Sequence, residues 1–352
     1  GPVVLVLPED MLTQSTSARP LPRVEAVESW SDPGALRTLR EMLLAAKKPI
    51  VIAGGGGWTP QSAQALQRFA ENWKLPVGNA FRFQDTFDNH HPLYAGDVGI
   101  GINPKLAARV KESDLVIAIG PRLGEMTTGG YTLIEAPVPT QKLVHIHASA
   151  EELNRVYQAD LAINATMNAA ARALEVLAAP AEVPWAESAR QANADYLENL
   201  VPQQLPGAID MPAIVGVVQR LLPEDAVVTN GAGNFASWVH RFFRYHGLAK
   251  GLKTQLAPTS GAMGYGVPAG IAASLLAGRT ATPQPDEIPQ MFLHRQLSVR
   301  AYDSAAMMVN AVVVEGSKLD ETIRRLLGDS AVDYLHVHNA KPGCYNCSVI
   351  RA

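Results

Sequence analysis

The chain has 352 residues, 47% hydrophobic and 18% charged, with a formal net charge of −3. At roughly 100–200 residues per domain this leaves room for about two cores, and the balance of charge excludes the basic field that a nucleic acid partner needs. No apolar run reaches the ~18 residues of a membrane span, and the opening Gly1-Pro2-Val3-Val4-Leu5-Val6-Leu7-Pro8 lacks the basic start and cleavage-type end of a signal peptide; the expected location is cytoplasmic, with no membrane partner.

In chain order, Val3 to Leu7 reads as a buried-type strand whose backbone partners would lie upstream. Together with the missing initiator Met, this suggests a fragment. Glu9 to about Asp32 is polar, with no surviving period, and reads as a linker. Pro33 then opens a helix carrying Leu36, Leu39, Met42, Leu43 and Leu44, and Pro49 ends it before the strand Ile50 to Ala53. The unit repeats as a helix from about Gln61 to Trp73, a strand around Pro76 to Ala80, a short helix from Pro104, and strands at Leu115 to Ile119 and Leu143 to His147. Short apolar strands alternating with helices imply a doubly wound parallel α/β sheet, placed at 33–180. Residues 181–210 read as a linker with one helix, Trp185 to Leu200. A second α/β segment starts with a helix at Met211, followed by the strand Ala226 to Thr229 and the apolar helix Gly266 to Leu276. The pattern breaks at Arg279-Thr280-Ala281-Thr282-Pro283-Gln284-Pro285, where a further buried strand is expected.

Three stretches combine small residues with strand ends, where ligands bind in open α/β sheets, and a fourth leads into a helix. Ala53-Gly54-Gly55-Gly56-Gly57 lets backbone N–H groups approach an anion or nucleotide, or simply makes a tight turn. Arg122, in Gly120-Pro121-Arg122-Leu123-Gly124, either holds a phosphate or pairs with a surface carboxylate. Asn230-Gly231-Ala232-Gly233-Asn234 follows a strand and suits a diphosphate over exposed N–H groups. Thr259-Ser260-Gly261-Ala262-Met263-Gly264-Tyr265-Gly266-Val267-Pro268-Ala269 runs into a helix with Pro268 in its first turn.

The last stretch resembles the glycine-rich segment that begins the diphosphate-binding domain of thiamine diphosphate-dependent enzymes of the acetolactate synthase type. The resemblance implies that residues 1–32 are the end of a pyrimidine-binding domain and a linker, 33–180 the central domain, and 211–282 a truncated diphosphate-binding domain. By position it also implies that the Gly261 carbonyl accepts from the aminopyrimidine of thiamine diphosphate and that Met263 wedges under the bent cofactor. Gly231 and Gly233 would face the diphosphate. The implied chemistry is decarboxylation of a 2-oxo acid such as pyruvate and transfer of the resulting carbanion equivalent, with Mg2+ tethering the cofactor and the enzyme working as a homo-oligomer. Gly54, Gly55, Gly56, Gly57 and Arg122 are the residues expected to hold flavin dinucleotide (FAD) if the central domain binds it. The family's activating glutamate and its Gly-Asp-Gly metal motif have no counterpart here, so activity in this chain alone is not expected, and no catalytic or metal residue is assigned. The alternative readings are a non-catalytic nucleotide-binding or scaffold protein, or a chimeric reading frame.

Residues 283–352 resemble a second family, domain of unknown function 1203, on Ile288-Pro289-Gln290-Met291, Arg295-Gln296, Val299-Arg300-Ala301-Tyr302, Tyr334-Leu335-His336-Val337-His338 and Cys344-Tyr345-Asn346-Cys347. The tail is expected to be a small α+β piece joined near Pro283. Gly328-Asp329-Ser330 reads as a helix end. His336, His338, Cys344 and Cys347 are zinc-type ligands, but with no second Cys-x-x-Cys they are read first as strand histidines and a closing turn.

Overall fold

The computed structural model describes residues 27–203, 209–251, 253–277, 290–341 and 345–351, with Ile288 and scattered positions before residue 27. The expected strand Val3 to Leu7 apart from exposed Val6, the join near Pro283 and Cys344 lie outside the described residues. The chain divides into two compact units, Gly1–Ala273 and Ser274–Ala352.

In the first unit, α1 (Pro33–Ala45) starts where the Asp32 side chain accepts from the Ala35 N–H at 2.9 Å, with Pro33 in the first turn. Its buried Leu39 and Leu43 join the same apolar cluster as Val51 and Ala53 of β1 (Pro49–Ala53). Next comes α2 (Pro60–Trp73), opened by a reciprocal capping box between Thr59 and Ser62. Then follow β2 (Val77–Ala80), β3 (Tyr94–Val98), α3 (Pro104–Glu112), β4 (Leu115–Ile119), β5 (Lys142–His147), β6 (Leu161–Asn164), α4 (Met167–Glu175) and α5 (Ala186–Asn199). All six strands are parallel in the order β3-β2-β1-β4-β5-β6. This is the doubly wound α/β sheet expected from the sequence.

Alternation along the strands divides the core. Val51, Ala53, Ile117, Ile119, Val144 and Ile146 face Leu66, Phe69 and Trp73 of α2 and Leu174 of α4. Ile50, Ile52, Val116, Ala118 and Leu143 face Leu106 and Val110 of α3. Because both faces are covered, the central strands β1 and β4 are continuously apolar rather than alternating. Each large buried side chain contributes about 1.5–3 kcal/mol. The edge at β3 is covered by α5, where Tyr196 stands edge-on to Tyr94 at 4.7 Å and Asn193 donates to Tyr94 O at 2.8 Å. The end of the polar stretch before α1 is tied down: Thr166 N–H donates to Ser29 O at 3.0 Å, and Arg172 pairs with Glu28 at 2.8 Å.

The same unit continues through α6 (Met211–Leu221), β7 (Val228–Thr229), α7 (Ala236–Phe242) and β8 (Gln255–Leu256), with β7 and β8 paired in parallel. Helix α8 (Gly266–Ala277) follows. The second unit holds a short helix α9 (Gln290–Leu293), β9 (Gln296–Tyr302), β10 (Met308–Glu315), α10 (Leu319–Leu327), β11 (Tyr334–Asn339) and β12 (Tyr345–Ile350). Its antiparallel sheet runs β10-β9-β11-β12, and Leu319 and Leu326 of α10 pack with Leu297, Val299, Leu335 and Val337. Gly328 ends α10, its N–H donating to Arg324 O at 3.0 Å.

Candidate functional site

Chain order reverses between β1 and β4, so their carboxyl ends border the crevice where such sheets take ligands. Gly54 follows β1, and its N–H donates to Ile119 O at 3.1 Å. Gly55 has φ +73°, and a Cβ added there would lie 2.0 Å from Gly120 O; one added at Gly120 would lie 2.3 Å from Gly54 O. The two loops therefore lie backbone to backbone, which accounts for Gly54, Gly55 and Gly120 by packing. Gly56 and Gly57 have no atom within 4 Å of an added Cβ and form the open lip. Arg122 is 66% exposed and pairs through Nε with Glu152 at 3.1 Å, a carboxylate that also meets Arg155 at 3.5 Å. That is the surface-pair alternative of the sequence reading; no contact joins Arg122 to the glycines among the described residues.

The second set of glycines is drawn together at the end of β7. Thr229 Oγ1 donates to Gly266 O at 2.8 Å. A Cβ on Gly266 would stand 2.8 Å from Gly231 N, and one on Gly231 would be 4.0 Å from Gly264 N. Among the described residues, the N–H groups of Gly231 through Phe235 donate to no backbone carbonyl, while Asn230 N–H before them goes to Leu256 O at 3.1 Å. Asn230 is buried, and its Oδ1 has no partner. Gly233 abuts the Phe235 ring, 2.9 Å from an added Cβ. Gly261 stands apart in a turn, its N–H on Pro258 O at 3.0 Å, and Met263 is 87% exposed.

This cradle suits an anion such as the diphosphate end of thiamine diphosphate: consecutive free N–H groups, and small residues that leave the backbone approachable. It does not suit the Mg2+ that would accompany it. Magnesium takes carboxylate oxygens, and no Asp or Glu occurs from Ala226 through Pro285.

A polar latch that the sequence reading did not single out joins the loop after β2 to this segment. Asp85, fully buried, accepts from Lys253 Nζ at 2.5 Å, Thr254 N–H at 2.8 Å and Gln255 N–H at 2.9 Å. Gln84 N–H donates to Gln255 Oε1, and Gln255 Nε2 to Gln84 Oε1, both at 2.7 Å. Arg82 donates to Pro258 O. Beside the latch is a cavity of about 230 Å3 lined by Gln84, Asp97, Tyr196, Ser237, His240 and Arg241 among others. Burial pushes the Asp97 carboxyl well above the usual carboxylate range, against the pull of Arg82. Burial, then the Arg82 charge, lowers His240 to about 4. Asp97 Oδ1, His240 Nε2 and Arg82 Nε have no hydrogen-bond partner. The sequence signal was present in Arg82-Phe83-Gln84-Asp85, but a polar loop of this kind reads as a solvated turn.

In the second unit, the rings of His336 and His338 follow one another at 6.1 Å, in a row with Tyr302 and Tyr334. Cys347 is paired in register with Val337, the residue between them, and lies with the apolar cluster. It therefore points to the opposite face of the sheet from the two histidines, and burial raises its thiol.

Residues 36–174 match the family described as thiamine pyrophosphate enzyme, central domain. Residues 275–351 match a protein family of unknown function, domain of unknown function 1203. The chain is 26% identical over 276 residues to the acetolactate synthase isozyme 2 large subunit of Escherichia coli, covering 78% of this chain and 48% of that protein. It is 27% identical over 274 residues to 3D-(3,5/4)-trihydroxycyclohexane-1,2-dione hydrolase of Geobacillus thermodenitrificans, covering 69% and 42%. The chain thus spans about half the length of the curated relatives it matches. An X-ray structure from Mycobacterium smegmatis, described as a thiamin diphosphate-dependent enzyme, superposes with a TM-score of 0.54 at 21% identity, covering 74% of this chain and 48% of that one. At the β1 and β4 ends, then, Gly54, Gly55 and Gly120 are packed together, and the run of N–H groups with no backbone acceptor among the described residues lies in the segment that follows, at 231–235. No helix of the described residues is long and apolar enough to cross a membrane.

Proposed function

We propose that this chain is an acetolactate synthase-like protein of the thiamine diphosphate type whose segment 226–277 holds the diphosphate end of the cofactor through backbone N–H groups, without catalysing turnover by itself. The observation carrying this is the close approach of Asn230–Gly231 to Gly264–Gly266 beside five unclaimed N–H groups, in a stretch with no carboxylate. When bound, thiamine diphosphate supplies the electron sink for decarboxylation and carboligation of a 2-oxo acid such as pyruvate. The residues of this chain would do the holding: Gly231 and Gly233 along the diphosphate, with Gly261 and exposed Met263 meeting the aminopyrimidine as the resemblance implies. Calorimetry decides the matter. We expect thiamine diphosphate to bind weakly, near the millimolar range, with no gain from Mg2+. Failure to bind at several millimolar sinks the cofactor reading, and a Mg2+-dependent gain of ~100-fold overturns the reading of a chain without its metal site.

A nucleotide-binding role without catalysis is favoured by the open lip at Gly56 and Gly57. Flavin dinucleotide held there, with Arg122 leaving Glu152, makes the purified protein yellow; a colourless protein that takes up no added flavin removes this reading. A chimeric reading frame is favoured by the two unrelated family matches at 36–174 and 275–351, and sequencing of the transcript across the join tests it. Assembly of copies is supported by exposed Ile214, Val218 and Leu221 on α6 and Val267 and Ile271 on α8; a monomer by light scattering at micromolar concentration removes it.

A further inference from the structure

Away from the glycine cradle, two histidines meet where the loop after β2 packs against the segment after α7. The rings of His90 and His246 are stacked, with centroids 4.2 Å apart and planes 8° from parallel. Asp88 joins them: one ligand atom from each of the three side chains lies within 4.8 Å of the others. Asp88 Oδ1 is 3.2 Å from His90 Nδ1.

Backbone contacts fix this meeting. Asn89 N–H donates to Tyr245 O at 2.9 Å, Tyr245 N–H returns a bond to Asn89 Oδ1 at 2.9 Å, and the Arg244 guanidinium donates to Asn89 O at 3.1 Å. Gly247 has φ +79° and comes so close that an added Cβ would be 2.7 Å from Asp88 N. Segments 88–90 and 244–247 are thus held as one piece, which keeps the three side chains adjacent, and one imidazole turns out of the stack for both to reach a single ion. They border a cavity of about 270 Å3 lined by His90, Glu224, Arg244 and His246 among others. Glu224 Oε1 stands 4.0 Å from His246 Nε2.

We propose that Asp88, His90 and His246 form a binding site for a borderline divalent transition-metal ion of the zinc, cobalt or nickel kind, with water completing the shell. Two imidazoles and a carboxylate are the donors these ions prefer, whereas magnesium and calcium ask for oxygen alone. The position of Lys250 points the same way. Its Nζ lies 3.1 Å from His246 Nδ1 and 3.9 Å from Asp88 Oδ2, so an ammonium stands where a cation would. The Lys250 side chain is 52% exposed and can swing into water as the ion enters. Arg244 is the other cation at the cavity, and its guanidinium is engaged with Asn89.

The test uses the whole chain, freed of metal by a chelator, titrated with Zn2+ by calorimetry and with Co2+ by visible absorption. The expected result is one high-affinity equivalent and a Co2+ spectrum of protein-nitrogen ligation. His90→Ala and His246→Ala each weaken binding at least ~10-fold, and Lys250→Met strengthens it about tenfold by removing the competing charge. The strengthening cannot arise from misfolding, so it separates lost ligands from lost structure. The paired variant His336→Ala with His338→Ala, on the strand of the second unit, retains the binding. The proposal is overturned if neither wild type nor Lys250→Met binds Zn2+ at 100 µM or so, or if the ion is lost with the β11 histidines and not with His90 and His246.

Discussion

His240 ends its side chain in a cavity wall with Nε2 unpaired, beside Arg82 and Asp97. A proton on its ring would be a buried charge facing a guanidinium, and the folded value falls from 6.5 to about 4 for that reason. The sign follows directly: between pH 6.5 and about 4 the unfolded chain binds the proton and the folded chain does not, so stability falls as the pH is lowered through that window. The full difference of about 2.5 units corresponds to about 3 kcal/mol. Urea unfolding of the wild type from pH 7 to pH 4 is expected to lose most of this, and His240→Gln is expected to flatten that part of the profile. An unchanged slope in the variant places the acid sensitivity elsewhere. Asp85, by contrast, is a buried carboxyl group that accepts from Lys253 and from two backbone N–H groups, and it fastens the β2 loop to residues 253–255.

At the scale of elements, the β1 and β4 loops test the packing of the sheet's carboxyl edge. Gly55→Ala puts a methyl group against Gly120 O at a positive φ and is expected to cost about 2–4 kcal/mol in thermal or urea unfolding. Gly56→Ala, one residue on and open to solvent, is expected to stay within about 0.5 kcal/mol. Equal losses for the two would mean that the close approach does not hold in solution. The elements themselves were largely legible. Leu115 to Ile119 is apolar at every position because both sheet faces are covered, and Pro33, Thr59 and Pro104 mark helix starts by capping chemistry. Two strands of the six-stranded sheet, β3 and β6, were not legible. Gly96 and Asp97 interrupt the apolar pattern of β3, whose cover comes from α5, about 100 residues later; β6 is four residues long with only Ile163 buried.

For the whole molecule, the two units each carry their own apolar cluster, around Val51, Ile117 and Trp73 in one and Leu297, Val299 and Leu335 in the other. Each therefore has a core of its own, the condition under which separate cooperative folding is expected. Calorimetry is expected to resolve two transitions, the larger from the central domain and the segment packed on it. A chain cleaved between residues 277 and 290 should keep both. A single transition abolished by that cut would show that neither unit is stable alone.

The sequence by itself determined the parallel α/β sheet, the thiamine-enzyme character of the central part and the glycine-rich stretches, because apolar periodicity, capping residues and glycine runs are local signals. It also determined that no carboxylate lies between Ala226 and Pro285 to hold a hard cation. Only the tertiary structure decided which glycines pack and which stay open, that Arg122 meets Glu152, and that Cys347 faces away from His336 and His338. The Asp85 latch, the His240 cavity and the meeting of Asp88 and His90 with His246 belong to the same class. Each joins residues about 150 positions apart, and such pairings arise from burial and backbone hydrogen bonding between segments, which leave no period in either one.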